Sequence, residues 1–141
     1  MPKWIFNPFT SNFDAIEEGE HFFQATCTAA EDVNDLVYIS AAGPTVGKID
    51  IDDDVNKMPP IGIIIEKLSV TSCTVQTSGE VALAGLTPGK AYFAGTDSKP
   101  TSTRPAAPGT GKRAIQVVGV AMDTDILLLR IAGTFARIIP T

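Results

Sequence analysis

A chain of 141 residues with 44% apolar residues is long enough to enclose a core of its own and too apolar for a disordered segment. Its formal charge is −5, and of its eleven scattered Lys and Arg only Lys112-Arg113 are adjacent, so no nucleic-acid partner is expected. Two cysteines far apart, Cys27 and Cys73, do not make a disulfide scaffold and read as buried free thiols made in a reducing compartment.

Residues 1–19 differ from the rest. Trp4, Ile5, Phe6, Phe9 and Phe13 are large and apolar, but Pro2, Asn7-Pro8 and Ser11-Asn12 interrupt them, and Pro8 holds Asn7 in extended conformations. The segment reads either as an edge strand over the core or as an extended N-terminal arm whose aromatics bury on a neighbour. It carries no apolar leader before the acidic Glu17-Glu18-Glu20, and no secretory signal is read. Residues 20–141 read as a single β domain.

His21 to Thr28 alternates with period two: His21, Phe23, Ala25 and Cys27 on one face, Phe22, Gln24, Thr26 and Thr28 on the other. Phe22 and Phe23 are expected in the core. Ala29 to Asp35 is acidic and holds at most one helical turn. Leu36-Val37-Tyr38-Ile39-Ser40 is a strand, Gly43-Pro44 a turn, Gly47-Lys48-Ile49-Asp50 a second strand, and Ile61-Gly62-Ile63-Ile64-Ile65-Glu66 a third beyond the Pro59-Pro60 loop. Asp50, Asp52 and Asp54 are expected on one side of an extended segment as a solvated acidic face. Residues 73–84 read as a hairpin turning at Gly79-Glu80. Thr87-Pro88-Gly89-Lys90 reads as a type II turn, with Pro88 fixing the first central φ and Gly89 taking the positive one.

Ala91-Tyr92-Phe93-Ala94, the turn Gly95-Thr96-Asp97, the short polar strand Pro100–Thr103, the exposed Pro100–Gly111 loop and the strand Ile115–Ala121 then repeat the order of residues 36–66: strand, turn, strand, loop, glycine-bearing strand. Ile126–Ile131, after the turn Asp123-Thr124-Asp125, and Phe135–Ile139 complete the chain. Arg130, Gly133 and Arg137 break this late run short of the roughly 20 apolar residues that span a bilayer as a helix, so no membrane partner is expected. With β-branched residues dominant and no helical stripe, the fold class is all-β, a β-sandwich or partly closed barrel of about ten short strands with the extended arm.

Chemistry-bearing residues are few. His21 is the only histidine, and about 20 Å of extended strand separates it from Cys27. No Gly-x-Ser-x-Gly elbow occurs. Asp50-x-Asp52-Asp53-Asp54 lacks the glycine and glutamate of a calcium loop, Val55 and Ile61 standing there instead. Gly109-Thr110-Gly111-Lys112-Arg113 lacks the first glycine and the Ser/Thr of a phosphate loop. Glu31, Glu66 and Glu80 have no aromatic, carbohydrate-like setting. The expectation is a protein that is not an enzyme, with no cofactor and no metal site.

Trp4-Ile5-Phe6-Asn7-Pro8-Phe9-Thr10-Ser11-Asn12-Phe13-Asp14 resembles the opening of small structural proteins of tailed bacteriophages. Gly79-Glu80-Val81 through Gly85-Leu86-Thr87-Pro88-Gly89-Lys90-Ala91-Tyr92-Phe93, with Gln116-Val117-Val118-Gly119-Val120-Ala121, resembles a β-rich module of head-decoration and tail-associated proteins. The resemblance covers about 80 residues. It implies a capsid decoration or cement protein of the virion surface, made in the host cytoplasm, whose partners are the major capsid protein and further copies of itself in a homotrimer. Trp4, Phe6, Phe9 and Phe13 are then the expected anchors to the capsid or a neighbouring subunit. A tail-associated or host-receptor module, binding a receptor or glycan through the Pro100–Gly111 loop, is the alternative.

Overall fold

The structure, a computed structural model, describes residues 2–7, 12–17 and 21–139. Among these are thirteen strands and no helix: β1 (Pro2–Asn7), β2 (Asn12–Glu17), β3 (His21–Thr26), β4 (Leu36–Ala41), β5 (Thr45–Lys48), β6 (Gly62–Ser69), β7 (Ser72–Ala82), β8 (Ala91–Ala94), β9 (Pro100–Thr101), β10 (Arg113–Ile115), β11 (Val117–Asp123), β12 (Ile126–Arg130) and β13 (Ala136–Ile138). The fold is all-β, as the residue pattern predicts.

Five strands close on themselves. The order β3-β5-β4-β6-β7 returns to its start because β7 also pairs with β3, from Thr26↔Ser72 to His21↔Ser78. Of the five pairings, β3–β5 is parallel and the rest antiparallel. Closure removes the free edges that would otherwise invite foreign strands. The second half of β7 leaves the barrel and pairs with β12, extending a sheet of order β7-β12-β11-β8-β9.

The residues read from sequence as the turn of a 73–84 hairpin, Gly79-Glu80, lie instead inside β7, which runs unbroken through eleven residues. Gly79 has φ +97°, and a glycine in that conformation lets the strand bend from barrel to sheet without ending. The hairpin that does form joins β6 to β7, with Ser69 opposite Ser72. Thr87-Pro88-Gly89-Lys90 is the turn expected: Lys90 N–H donates to Thr87 O at 3.2 Å and Gly89 has φ +83°.

The doubled sequence pattern has a topological counterpart. The order β5-β4-β6-β7 is continued by β12-β11-β8-β9, the same sequence of roles reversed about the β7–β12 pair. In each half a short strand (β4 or β8) is flanked by its hairpin partner (β5 or β9) and by the glycine-bearing strand (β6 or β11), antiparallel on both sides. The halves part where β3 closes the first into a barrel, while β10, just before β11, pairs with β13 in a separate two-stranded sheet.

Two cores result. Ala25, Cys27, Val37, Val46, Ile64, Cys73 and Val75 fill the barrel. Leu36, Ile49, Ile51, Ile63, Val81, Tyr92, Val118, Leu127 and Leu129 fill the space between the barrel wall and the β7–β12–β11–β8 sheet. Successive residues on β4 (Leu36, Val37) and β6 (Ile63, Ile64) therefore serve opposite cores, which is why both strands read as continuous apolar runs.

Candidate docking surface

The acidic run does not form the extended solvated face expected of it. Residues 50–57 are a turn-rich loop in which Asp53 N–H donates to Asp50 O at 3.0 Å and Asp52 N–H to Asp50 Oδ1 at 2.9 Å. A loop of this kind turns its carboxylates in different directions, and two of them meet arginines. Arg113 on β10 grips Asp52 with two bonds, Nε to Oδ1 at 2.7 Å and Nη2 to Oδ2 at 3.2 Å. Buried Asp54 accepts from Arg137 Nε on β13. The bond to Asp52 raises the pKa of the Arg113 guanidinium further. These pairs fasten the β10–β13 sheet to the 50–57 loop. No group of three or more His, Cys, Asp or Glu side chains suited to holding a metal occurs among the described residues.

Other polar groups also serve the fold. Lys67 Nζ donates to the carbonyls of Thr28 at 2.8 Å, Glu31 at 2.7 Å and Val70 at 3.4 Å, holding the 28–31 segment against the β6–β7 turn. Replacing Lys67 by Met keeps the stem but removes the ammonium from three carbonyls, and should cost about 1–3 kcal/mol in denaturant unfolding. Ser98, at φ +67°, donates its hydroxyl to Ile49 O at 2.6 Å, and its carbonyl accepts from Leu36 N–H at 2.6 Å. In this way the turn before β9 is pinned between the two halves.

The thiols are buried in the barrel as expected, both free. Burial, reinforced by the hydrogen bond and charge of neighbouring Cys27, raises the Cys73 pKa from 9.0 to about 11. Its thiolate is therefore scarce at neutral pH, and thiol reagents should modify the native protein slowly at pH 8 and the unfolded chain rapidly. Because the folded pKa is the raised one, this group contributes stability fully below pH 9 and loses it as pH rises toward 11. Denaturation midpoints measured across that window should fall. His21 is exposed at the start of β3, where its pairing with Ser78 lies at the barrel rim.

Phe23 packs against the barrel core, whereas Phe22, expected in the core, is 50% exposed. The strict alternation of β3 sends the two neighbours to opposite faces, and only one face is covered. Phe22 and Phe23 line, with Gln24, Ile65 and Thr74, an open depression of about 540 Å³.

The four residues expected as anchors fall in the N-terminal segment. Trp4 and Phe6 lie on β1 and Phe13 on β2; Phe9 lies outside the described residues. The single extended arm is folded back as an antiparallel pair, with Phe6 opposite Phe13 and Trp4 opposite Ala15. Opposed residues of an antiparallel pair share a face, so positions 4, 6 and 13 belong to one side of the ribbon.

One apolar surface was not singled out from sequence. The β7–β12–β11–β8 sheet turns its inner face to the core and leaves its outer face uncovered within the described residues. Glu80, Leu128, Val120 and Ala91 stand in one continuous cross-strand row. Val117, Val120 and Met122 on β11 are exposed, the last two by 41% and 52%, and Leu128 and Phe93 are half-exposed beside them. Glu80 and Arg130, toward β7, and Asp123, opposite Ile126 at the end of β11, are charged residues of this face. The signal in the sequence was the unbroken apolar runs Val117–Met122 and Ile126–Leu129: strands of an antiparallel sheet with one wet face should alternate, and these do not.

No family model, no curated protein and no solved structure matches the chain.

Proposed function

We propose that the chain is a non-enzymatic structural protein of a tailed-bacteriophage virion that binds the outer capsid surface, associates with copies of itself as a trimer, and stabilises the lattice of the major capsid protein. The observation that carries this reading is the uncovered apolar sheet face around Val120, Met122 and Leu128, a contact surface rather than a reaction site. The β1–β2 pair carries Trp4, Phe6 and Phe13, and aromatic residues give large contact area for few rotors to order. The polar groups of the body are engaged in holding loops together, as Arg113, Arg137, Lys67 and Ser98 illustrate. On a shell, each weak contact is repeated over many copies, so that stabilisation comes from summed area.

Co-sedimentation with phage capsids tests the reading. Wild-type protein should pellet with shells and raise their resistance to heat. The full-length triple variant Trp4→Ala, Phe6→Ala, Phe13→Ala should bind about 100-fold or more weakly, the loss expected when several aromatic anchors are removed together, while thermal unfolding of the body is unchanged. Unaltered binding by that variant, or labelling of tails alone by the wild-type protein, would overturn the proposal.

A further inference from the structure

We propose that Cys27 and Cys73 are a reversible dithiol–disulfide pair, closed across the β3–β7 ladder by a small-molecule disulfide and gated by the 28–31 segment that Lys67 holds down. Both side chains belong to the barrel core. Ala25 stands opposite Cys73 in the antiparallel register, and Cys27 lies two residues further along the same face. Cys27 N–H donates to Thr71 O at 3.0 Å, which carries the alignment past the last residue of β3. The thiols are thus diagonal neighbours, and Cys27 is near enough to act on Cys73 by hydrogen bond and charge. Diagonal Cα atoms stand about 7–8 Å apart, just beyond the roughly 6.8 Å that a disulfide tolerates. Closing the bond therefore draws Cys27 inward, and Cys27 lies just outside the ladder, where a small backbone shift costs least.

The gate follows from burial. Cys27 is 2% exposed and Cys73 0%, so an oxidant must be admitted. Cys27 Sγ donates to Val70 O at 3.7 Å, and the same carbonyl accepts from Lys67 Nζ, which also holds Thr28 O and Glu31 O. One ammonium thus clasps the segment after Cys27 to the β6–β7 turn beside it. A cleft of about 310 Å³, lined by Ala29, Glu31, Lys67 and Val70 among others, opens at this clasp. Burial also keeps Cys73 protonated at neutral pH, which holds the pair reduced while the segment is shut. When the segment lifts, the Cys27 thiolate attacks one sulfur of a disulfide such as oxidised glutathione. A mixed disulfide forms, and the departing glutathione thiolate takes up the proton that Cys27 has lost. Cys73 then gives up its proton, attacks the Cys27 sulfur and releases the second glutathione, which is protonated in turn. Two protein thiols become one disulfide, and one glutathione disulfide becomes two thiols. The closed ring holds roughly 47 residues and includes β4, β5 and β6, so the bond staples most of the barrel wall. This chemistry is independent of the capsid reading.

The test treats the full chain with excess oxidised glutathione, both folded and while refolding from denaturant, then alkylates free thiols and maps the peptides by mass spectrometry. A Cys27–Cys73 peptide pair within single chains is expected. The oxidised protein should unfold about 5–10 °C higher than the reduced one, and dithiothreitol should reverse the change. Cys27→Ala and Cys73→Ala should show no such rise; if either fails to fold, the mapped wild-type peptides decide. Lys67→Met should oxidise about tenfold faster in the folded state, because it loosens the clasp. Gly119→Ala, which loosens the β11–β12 pair instead, should leave the rate nearly unchanged. Two bound glutathiones, links between chains, or both thiols still free after refolding would overturn the pairing. Equal acceleration by Lys67→Met and Gly119→Ala would overturn the gate.

Discussion

Gly119→Ala is expected to destabilise the protein by about 3 kcal/mol or more, at the upper end of what overpacking costs. A Cβ at Gly119 on β11 would lie 2.3 Å from Leu128 O and 3.1 Å from Leu128 C on β12. Both are backbone atoms of the adjacent strand, so no side-chain rotation relieves the clash; the strands must part, and Val118 and Leu129 in the core move with them. Gly62 on β6 occupies the corresponding place in the other half. Its Cβ would meet Gln76 O on β7 at 2.4 Å and Val75 Cγ1 at 2.7 Å. Gly62→Ala should cost a similar amount, whereas Gly109→Ala, in an open loop with nothing within 4 Å, should change stability by less than about 0.5 kcal/mol. Urea unfolding of the three variants checks the order. Equal losses for all three would remove the argument that close strand approach explains these two glycines.

Lys99→Met should also be costly, about 2–3 kcal/mol. Lys99 Nζ lies 2.5 Å from Asp35 Oδ1, and the Asp35 side chain is only 4% exposed while that of Lys99 is 45% exposed. Loss of the lysine leaves a buried carboxylate whose remaining bond is the one accepted from Asp32 N–H at 2.9 Å; an uncompensated buried charge costs about 3–5 kcal/mol when the pair is fully buried, and partial exposure of Lys99 lowers that figure. The pair bridges the entrance of β4 to the turn before β9, so it couples the two halves. Adding Asp35→Asn to Lys99→Met should restore part of the loss by removing the stranded charge. A double variant no more stable than Lys99→Met would show that the charge is not the source of the effect.

Asp35, Asp52 and Asp54 show why some of this was legible in the sequence and some was not. A strand's alternation is a local property, so β3 could be placed and its inner residues Phe23, Ala25 and Cys27 named from spacing alone. The Pro88-Gly89 turn could be read because its two residues fix their own φ angles. Partners 60 or more residues away leave no local trace: nothing near Asp52 announces Arg113, and nothing near Asp54 announces Arg137. Gly79 misled for the same reason. A glycine with positive φ serves a turn or a bend equally well, and the choice depends on the presence of β12 alongside.

The candidate site divides in the same way. Its aromatic half, Trp4, Phe6 and Phe13, was visible because large apolar residues among breakers stand out without any fold, although only the register shows that they share one side of a folded ribbon. The sheet half was hidden, because an apolar run says that a strand has two apolar faces but not which one the core covers. By itself the sequence determined an all-β chain, its main turns, its buried thiols and a repeated order of strands, all of which rest on residue-by-residue backbone preference and period-two burial. Tertiary structure decided that one repeat closes into a barrel through β3 while the other stays open, which acids are neutralised, and that the outer face of β12 and β11 is left uncovered among the described residues. Those outcomes depend on which distant strand pairs with which, and pairing energy is shared between segments that no local pattern connects.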